Sequence, residues 1–217
     1  ISSTIQITGT VNLCLNGHSI INTNHGYTIM VRKNYTFTLC DCKGGSAEYG
    51  RITHAEQAGG TKYSGQGVYA IGTFNMYGGS VTKNDSMRYA GGGVYNNGTF
   101  NLYAGAISDN VSSALGTTKG GGGVCNAAGK TFNMSGGSIT GNLGNFAVMA
   151  GLNKGTITLS GDAYIYGNAN RDILNNSRVN SVYVKCPLGE NAKIGFDPNL
   201  TLKSIKNFFG TDGGGLM

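Results

Sequence analysis

Acid–base, metal or nucleophilic chemistry in this chain must come from seven aspartates, three glutamates, three histidines and five cysteines among 217 residues. A pectate-lyase-like enzyme needs clustered carboxylates for calcium, and a polygalacturonase-like one needs neighbouring aspartates. Asp85 and Asp109, which flank two equivalent asparagines, are the nearest approach to such a pair. The residues equivalent to Asp109 further on are Gly141 and Gly167, so no column of carboxylates is built. His18, His25 and His54 fall in the first quarter with Asp41 and Glu48, where Cys40 or Cys42 with His54 would make a thiol–imidazole pair. Small polar turn residues and a buried thiol account for the same pattern, so no catalytic residues are assigned. Cys14, Cys40, Cys42, Cys125 and Cys186 are odd in number, which leaves at least one free thiol. Cys40-Asp41-Cys42 is not CxxC and no histidine or second CxxC completes a zinc site, so neither metal nor cofactor is expected; a Cys14–Cys40 bridge stays open. Gly91 to Gly98 fits a loose phosphate-loop spacing but has no helix after it, and no Asp follows the glycine runs as calcium repeats require.

Recognition through aromatic and amide groups is the stronger chemical signal. Tyr77 and Tyr103 are 26 residues apart, as are Tyr69 and Tyr95, and Asn75 and Asn101 accompany the first pair. Flat aromatic rings flanked by amides suit sugar stacking or protein contact. Tyr89 adds an aromatic in the loop entering the next unit. The candidate binding set is therefore Tyr69, Tyr77, Tyr89, Tyr95, Tyr103, Asn75 and Asn101.

These positions are set by a repeat. GQGVYAIGTFNMYGGSVTKN, GGGVYNNGTFNLYAGAISDN and GGGVCNAAGKTFNMSGGSITGN end at Asn84, Asn110 and Asn142, and a weaker copy ends at Asn168. Each unit holds three short alternating runs between turn residues; glycine recurs too often for a helix. Strands of three to five residues need stacked neighbours. The expected fold is all-β, a parallel β-helix solenoid with three short strands per coil and, at 26 residues per coil, roughly eight coils. Phe74, Met76, Phe100, Leu102, Phe132, Met134, Ile157 and Leu159 should face inward from the second run, Val68, Val94 and Val124 from the first, and Val81, Ile107, Ile139 and Ile165 from the third. Asn84, Asn110, Asn142 and Asn168 should form a structural ladder at a corner, in left-handed backbone, with glycines 91–93 and 120–123 at another corner. One domain spans 1–217, with clear repeats at 65–168, less regular coils at 1–64 and 169–202, and a frayed tail at 203–217.

Only 12% of residues are charged, and the net charge of +6 comes from scattered lysines and arginines without a basic run, which argues against nucleic acid. No segment reaches 18 consecutive apolar residues, so membrane insertion is not expected, and Ile1 opens a strand-like run, as in an excised part of a longer protein. LCLNGHSI at 13–20, GGGVYNNGTFNLY and NMSGGSITGN resemble the β-helical, adhesin-like repeat regions of secreted or wall-anchored surface proteins of Gram-positive gut bacteria. The resemblance covers about residues 4–168. It implies a right-handed helix, an extracellular, secreted or cell-wall-attached location and a multidomain parent. With the exposed tyrosines and the scattered acids, the expected function is a non-catalytic adhesion module that engages host glycoprotein, glycan or immunoglobulin, as a monomer. Pectate-lyase-like and polygalacturonase-like enzymes share the architecture and supply the alternative function.

Overall fold

Short runs that alternate apolar and polar residues bury one face each, and burial requires other strands alongside. The computed structural model describes residues 1–43, 50–57, 60, 63–87, 90–113, 120–144, 146–150, 155–169, 173–175 and 181–195. Among them the structure is all-β with no helix, and every strand pairing is parallel. No helix there is long and apolar enough to cross a membrane. The tail at 203–217 lies outside the described residues.

Successive passes of the chain lay equivalent runs side by side. The first runs form a seven-stranded sheet: Ile5–Ile7, Ile29–Val31, Val68–Ala70, Val94–Asn96, Gly121–Asn126, Phe146–Ala150 and Ile173–Asn175, in that order. A twelve-stranded sheet takes the second and third runs. Its spine is Val11–Cys14, Thr36–Cys40, Thr73–Thr82, Thr99–Ser108, Thr131–Met134, Thr156–Gly161 and Ser181–Leu188. The register places Phe37, Phe74, Phe100, Phe132 and Ile157 opposite one another in sequence.

One difference from the sequence reading is that the second and third runs are continuous in Thr73–Thr82 and Thr99–Ser108, where turn residues were expected to separate them. A register shift on either side of Ala104 turns the strand without ending its pairing. Gly105 has a φ of 95°, and a Cβ there would stand 2.6 Å from the Gly79 carbonyl, so only glycine fits this bend.

The interior is a set of ladders. Every inward residue predicted from Val68 to Ile165 is fully buried. Phe37, Phe74, Phe100 and Phe132 stack at centroid distances of 5.5, 4.9 and 5.0 Å with planes within 13° of parallel. Burying each ring contributes about 1.5–3 kcal/mol.

A polar column runs beside this apolar one. The side-chain nitrogens of Asn84, Asn110 and Asn142 each donate to the side-chain oxygen of the next asparagine at 3.0 Å, ending on Asn168. That same oxygen accepts the backbone N–H of the preceding asparagine at 3.1, 3.1 and 2.9 Å. Each amide nitrogen also donates to the carbonyl of a residue one pass back, namely Ile52, Val81 and Ile107. The left-handed residues are not the asparagines but those just before them: Lys83, Asp109, Gly141 and Gly167. That turn aims each asparagine inward, which is why Asn84 and Asn110 are completely buried. The glycines expected at a second corner have a related role. Gly121–Gly123 are extended within a strand, and a Cβ on Gly93 would come within 2.8 Å of the Asn110 amide nitrogen. A second buried pair, Asn96 to Asn126 at 2.6 Å, forms at the end of the first run.

His54 takes the asparagine's place one pass earlier. Its Nδ1 lies 2.7 Å from the Asn84 side-chain oxygen, and its Nε2 lies 2.9 Å from the Gly26 carbonyl. Burial lowers its pKa from 6.5, against the opposing pull of these two acceptors.

Phe100→Ala should cost about 3–5 kcal/mol as a core cavity. Asn110→Ala strands the buried N–H groups of Asn84 and should cost about 2–4 kcal/mol, more than one net hydrogen bond. Denaturant midpoints for both variants check the two ladders. A depressed imidazole pKa favours the neutral folded state, so its contribution is fully present above pH 6.5 and is lost as pH falls toward the folded value. The melting temperature should therefore fall as pH drops below 6.5, and His54→Asn should flatten that part of the profile.

Candidate functional site

The outward face of the second run carries four of the seven binding residues expected from the sequence, Asn75, Tyr77, Asn101 and Tyr103. Thr73, Asn75 and Tyr77 point away from the core, and Thr99, Asn101 and Tyr103 repeat them one pass on. Tyr77 and Tyr103 stack with centroids 4.4 Å apart and planes at 11°. They stay 51% and 41% exposed, so a good part of both rings is open to solvent. Burial against its neighbour and the hydrogen bond with Tyr77 raise the pKa of Tyr103. Beside the rings runs an outer amide ladder, Asn133 to Asn101 to Asn75, each step 2.8 Å. An amide has two donor hydrogens and two acceptor lone pairs, so the ladder bonds use only part of its capacity.

Tyr69 and Tyr95 differ from expectation. They are half-buried in a column with Tyr27, at centroid distances of 4.7 and 5.4 Å. Tyr69 meets Tyr95 at 67°, edge to face, and both rings are less open to solvent than Tyr77 and Tyr103. Burial raises the pKa of Tyr95, with the neighbouring Cys125, Tyr69 and Tyr27 adding to it. These two rings cover the first-run sheet. Tyr89 lies outside the described residues.

Sequence reading missed a cleft of about 600 Å³ next to this column, lined by His25, Tyr27, Ser64, Gln66, Ser86 and Met87. No periodic signal marks it, because its residues come from irregular segments before and after the strands. The His25 Nδ1 accepts the Ser64 backbone N–H at 3.0 Å, and the Ser64 hydroxyl lies at the same distance. With its lone pair committed to an amide hydrogen, that nitrogen is poorly placed to take the hydroxyl proton as a general base. No carboxylate lines the cleft among the described residues. Asp85 is in register with Val111, so it does not stand opposite Asp109, whose carboxylate lies over Gly141 instead.

The cysteines converge where the repeat is least regular. Cys14 is bridged to Cys42, not to Cys40. Cys40 is its partner in strand register, yet Asp41 decides the pairing. The Asp41 carboxylate accepts the backbone N–H groups of Gly17, Lys43 and Gly50, which fixes the turn and carries Cys42 back over Cys14. Burial would raise the Asp41 pKa, but these three amides outweigh it and hold the carboxyl below its usual 3.8. Cys125 is buried, its thiol pushed up to about 12, so it is chemically inert.

No protein-family model, no curated protein and no solved structure matches this chain.

Alkylation before reduction, followed by peptide mapping, should label Cys40 and return a Cys14–Cys42 linked peptide. A dominant Cys14–Cys40 peptide would show that strand register, rather than the Asp41 turn, selects the bridge.

Proposed function

We propose that the passes are coils of a right-handed parallel β-helix and that the chain is a non-catalytic, extracellular binding module of a bacterial surface protein, engaging host glycan, glycoprotein or immunoglobulin. The observation that carries this reading is the stacked, solvent-facing Tyr77–Tyr103 pair beside the Asn75–Asn101–Asn133 amides. The exposed parts of these rings give apolar surface for the C–H side of a sugar ring or for a protein side chain, and the amides give hydrogen bonds that orient it. Rigidity favours the same reading, because strands fix these residues before any ligand arrives and little ordering entropy is lost. The alternative, a polysaccharide-cleaving enzyme, would use the cleft at His25 and Ser64; the spent lone pair of His25 and the register offset of Asp85 from Asp109 weigh against it.

Arrays of mucin-type glycans and purified serum immunoglobulin test the proposal directly. Tyr77→Ala and Tyr103→Ala should each weaken binding about thirtyfold, the equivalent of ~2 kcal/mol for an anchor aromatic, with the fold intact by circular dichroism. Reducing-end and unsaturated-product assays on pectin and polygalacturonate should stay at background. Binding untouched by both substitutions would move the site to another surface, and turnover abolished by His25→Ala would put the enzyme reading ahead.

A further inference from the structure

Three sulfurs meet at the corner after the second run. Cys14 and Cys40 are opposite each other on paired parallel strands, and Cys42 returns through the Asp41 turn to donate its backbone N–H to the Cys14 sulfur at 2.9 Å. All three Sγ atoms lie within 4.8 Å of one another. Three thiolates on one ion, at the usual zinc–sulfur bond length of about 2.3 Å, stand roughly 3.8–4.0 Å apart. Small side-chain rotations cover that difference.

We propose that Cys14, Cys40 and Cys42, once a thiol reductant has opened the Cys14–Cys42 bridge, form a three-thiolate site for a soft closed-shell metal ion of the zinc or copper(I) class. Opening the bridge takes two electrons and two protons and leaves three thiols. Metal binding then forms three metal–sulfur bonds and releases the three thiol protons to solvent. An all-sulfur donor set selects soft ions and rejects calcium and magnesium, which need oxygen.

The surroundings suit a preorganised site. Two of the ligands stand on paired strands, and the Gly17, Lys43 and Gly50 amides that grip Asp41 hold the third. The N–H from Cys42 to the Cys14 sulfur is the kind of outer contact that supports a bound thiolate. Cys42 is exposed while Cys14 and Cys40 are half-buried, so an ion can enter from solvent and be held from below. This inference is independent of glycan or protein binding. The cluster does neighbour the aromatic strip, since register carries Leu39 onto Met76 and therefore Cys40 toward Tyr77.

The experiment uses the full chain, reduced with a phosphine under nitrogen and freed of reductant. Cadmium serves as spectroscopic probe, and zinc is titrated against a chromophoric chelator. One equivalent of cadmium should give a thiolate-to-metal charge-transfer band in the ultraviolet. Cys14→Ser, Cys40→Ser and Cys42→Ser should each weaken zinc at least about a hundredfold. The double variant Cys125→Ala/Cys186→Ala should keep both the band and the affinity. Cys40→Ser retains the Cys14–Cys42 pair, so its fold is checked by circular dichroism before reduction. Absence of the band at one equivalent, an undiminished band and zinc affinity in Cys40→Ser, or loss of the strand signal from the reduced parent chain would each overturn the proposal.

Discussion

A buried amide must have every donor and acceptor met, and the Asn84–Asn110–Asn142–Asn168 column meets them only if each asparagine sits one pass above the last. Its oxygen needs both the side-chain and the backbone N–H of its predecessor, and its nitrogen needs a carbonyl one pass back. Slipping a strand by one residue would bury unpaired amides at about 1–3 kcal/mol each. The apolar ladders resist the same slip, because one residue would turn Phe74, Phe100 and Phe132 to the outer face. The asparagine column and the phenylalanine and valine columns therefore enforce one register together. Gly93 reflects the same constraint, because the amide of Asn110 occupies the space its side chain would take.

With the core and one corner given over to stability, the outward positions are released from packing. On the second run those positions carry an amide ladder and the Tyr77–Tyr103 stack, at the same pass-to-pass step as the core beneath them. The repeat thus converts one side chain into a row, and a row of aromatic rings and amides is the physical basis of the binding role proposed above. On the first run the same outward positions carry Met30, Tyr69 and Tyr95, and the two tyrosines pack edge to face, with Tyr27 tilted against Tyr69 from outside the strand. Identical spacing gives different chemistry because ring orientation depends on neighbours, here Cys125 and the Asn97 amide that reaches the Tyr69 hydroxyl.

Where the repeat fails, its substitutes are informative. His54 stands in for asparagine and introduces a titratable group into an otherwise neutral column. Asp41 replaces a strand-to-strand contact with a three-amide turn, and so decides which cysteine meets Cys14. Both lie in the first passes, before the period becomes regular.

Periodicity alone determined which residues are inside, because alternation and a fixed step leave one arrangement that buries Phe74, Phe100 and Phe132 together. It also placed the asparagines at a common corner and put Tyr77 next to Tyr103. It misplaced the left-handed residue by one, since either an asparagine or its predecessor can make that turn, and only the need to aim the amide inward chooses Lys83 and Asp109. Tertiary structure alone decided the continuity of the strand through Gly105, the burial of Tyr69 and Tyr95, the cleft at His25 and the meeting of Cys14 with Cys42. Each of these depends on contacts between residues from different, irregular segments, such as Asp41 with Gly17 and Gly50. A repeat specifies what is equivalent, whereas contacts between non-equivalent residues exist only once the chain has been folded into place.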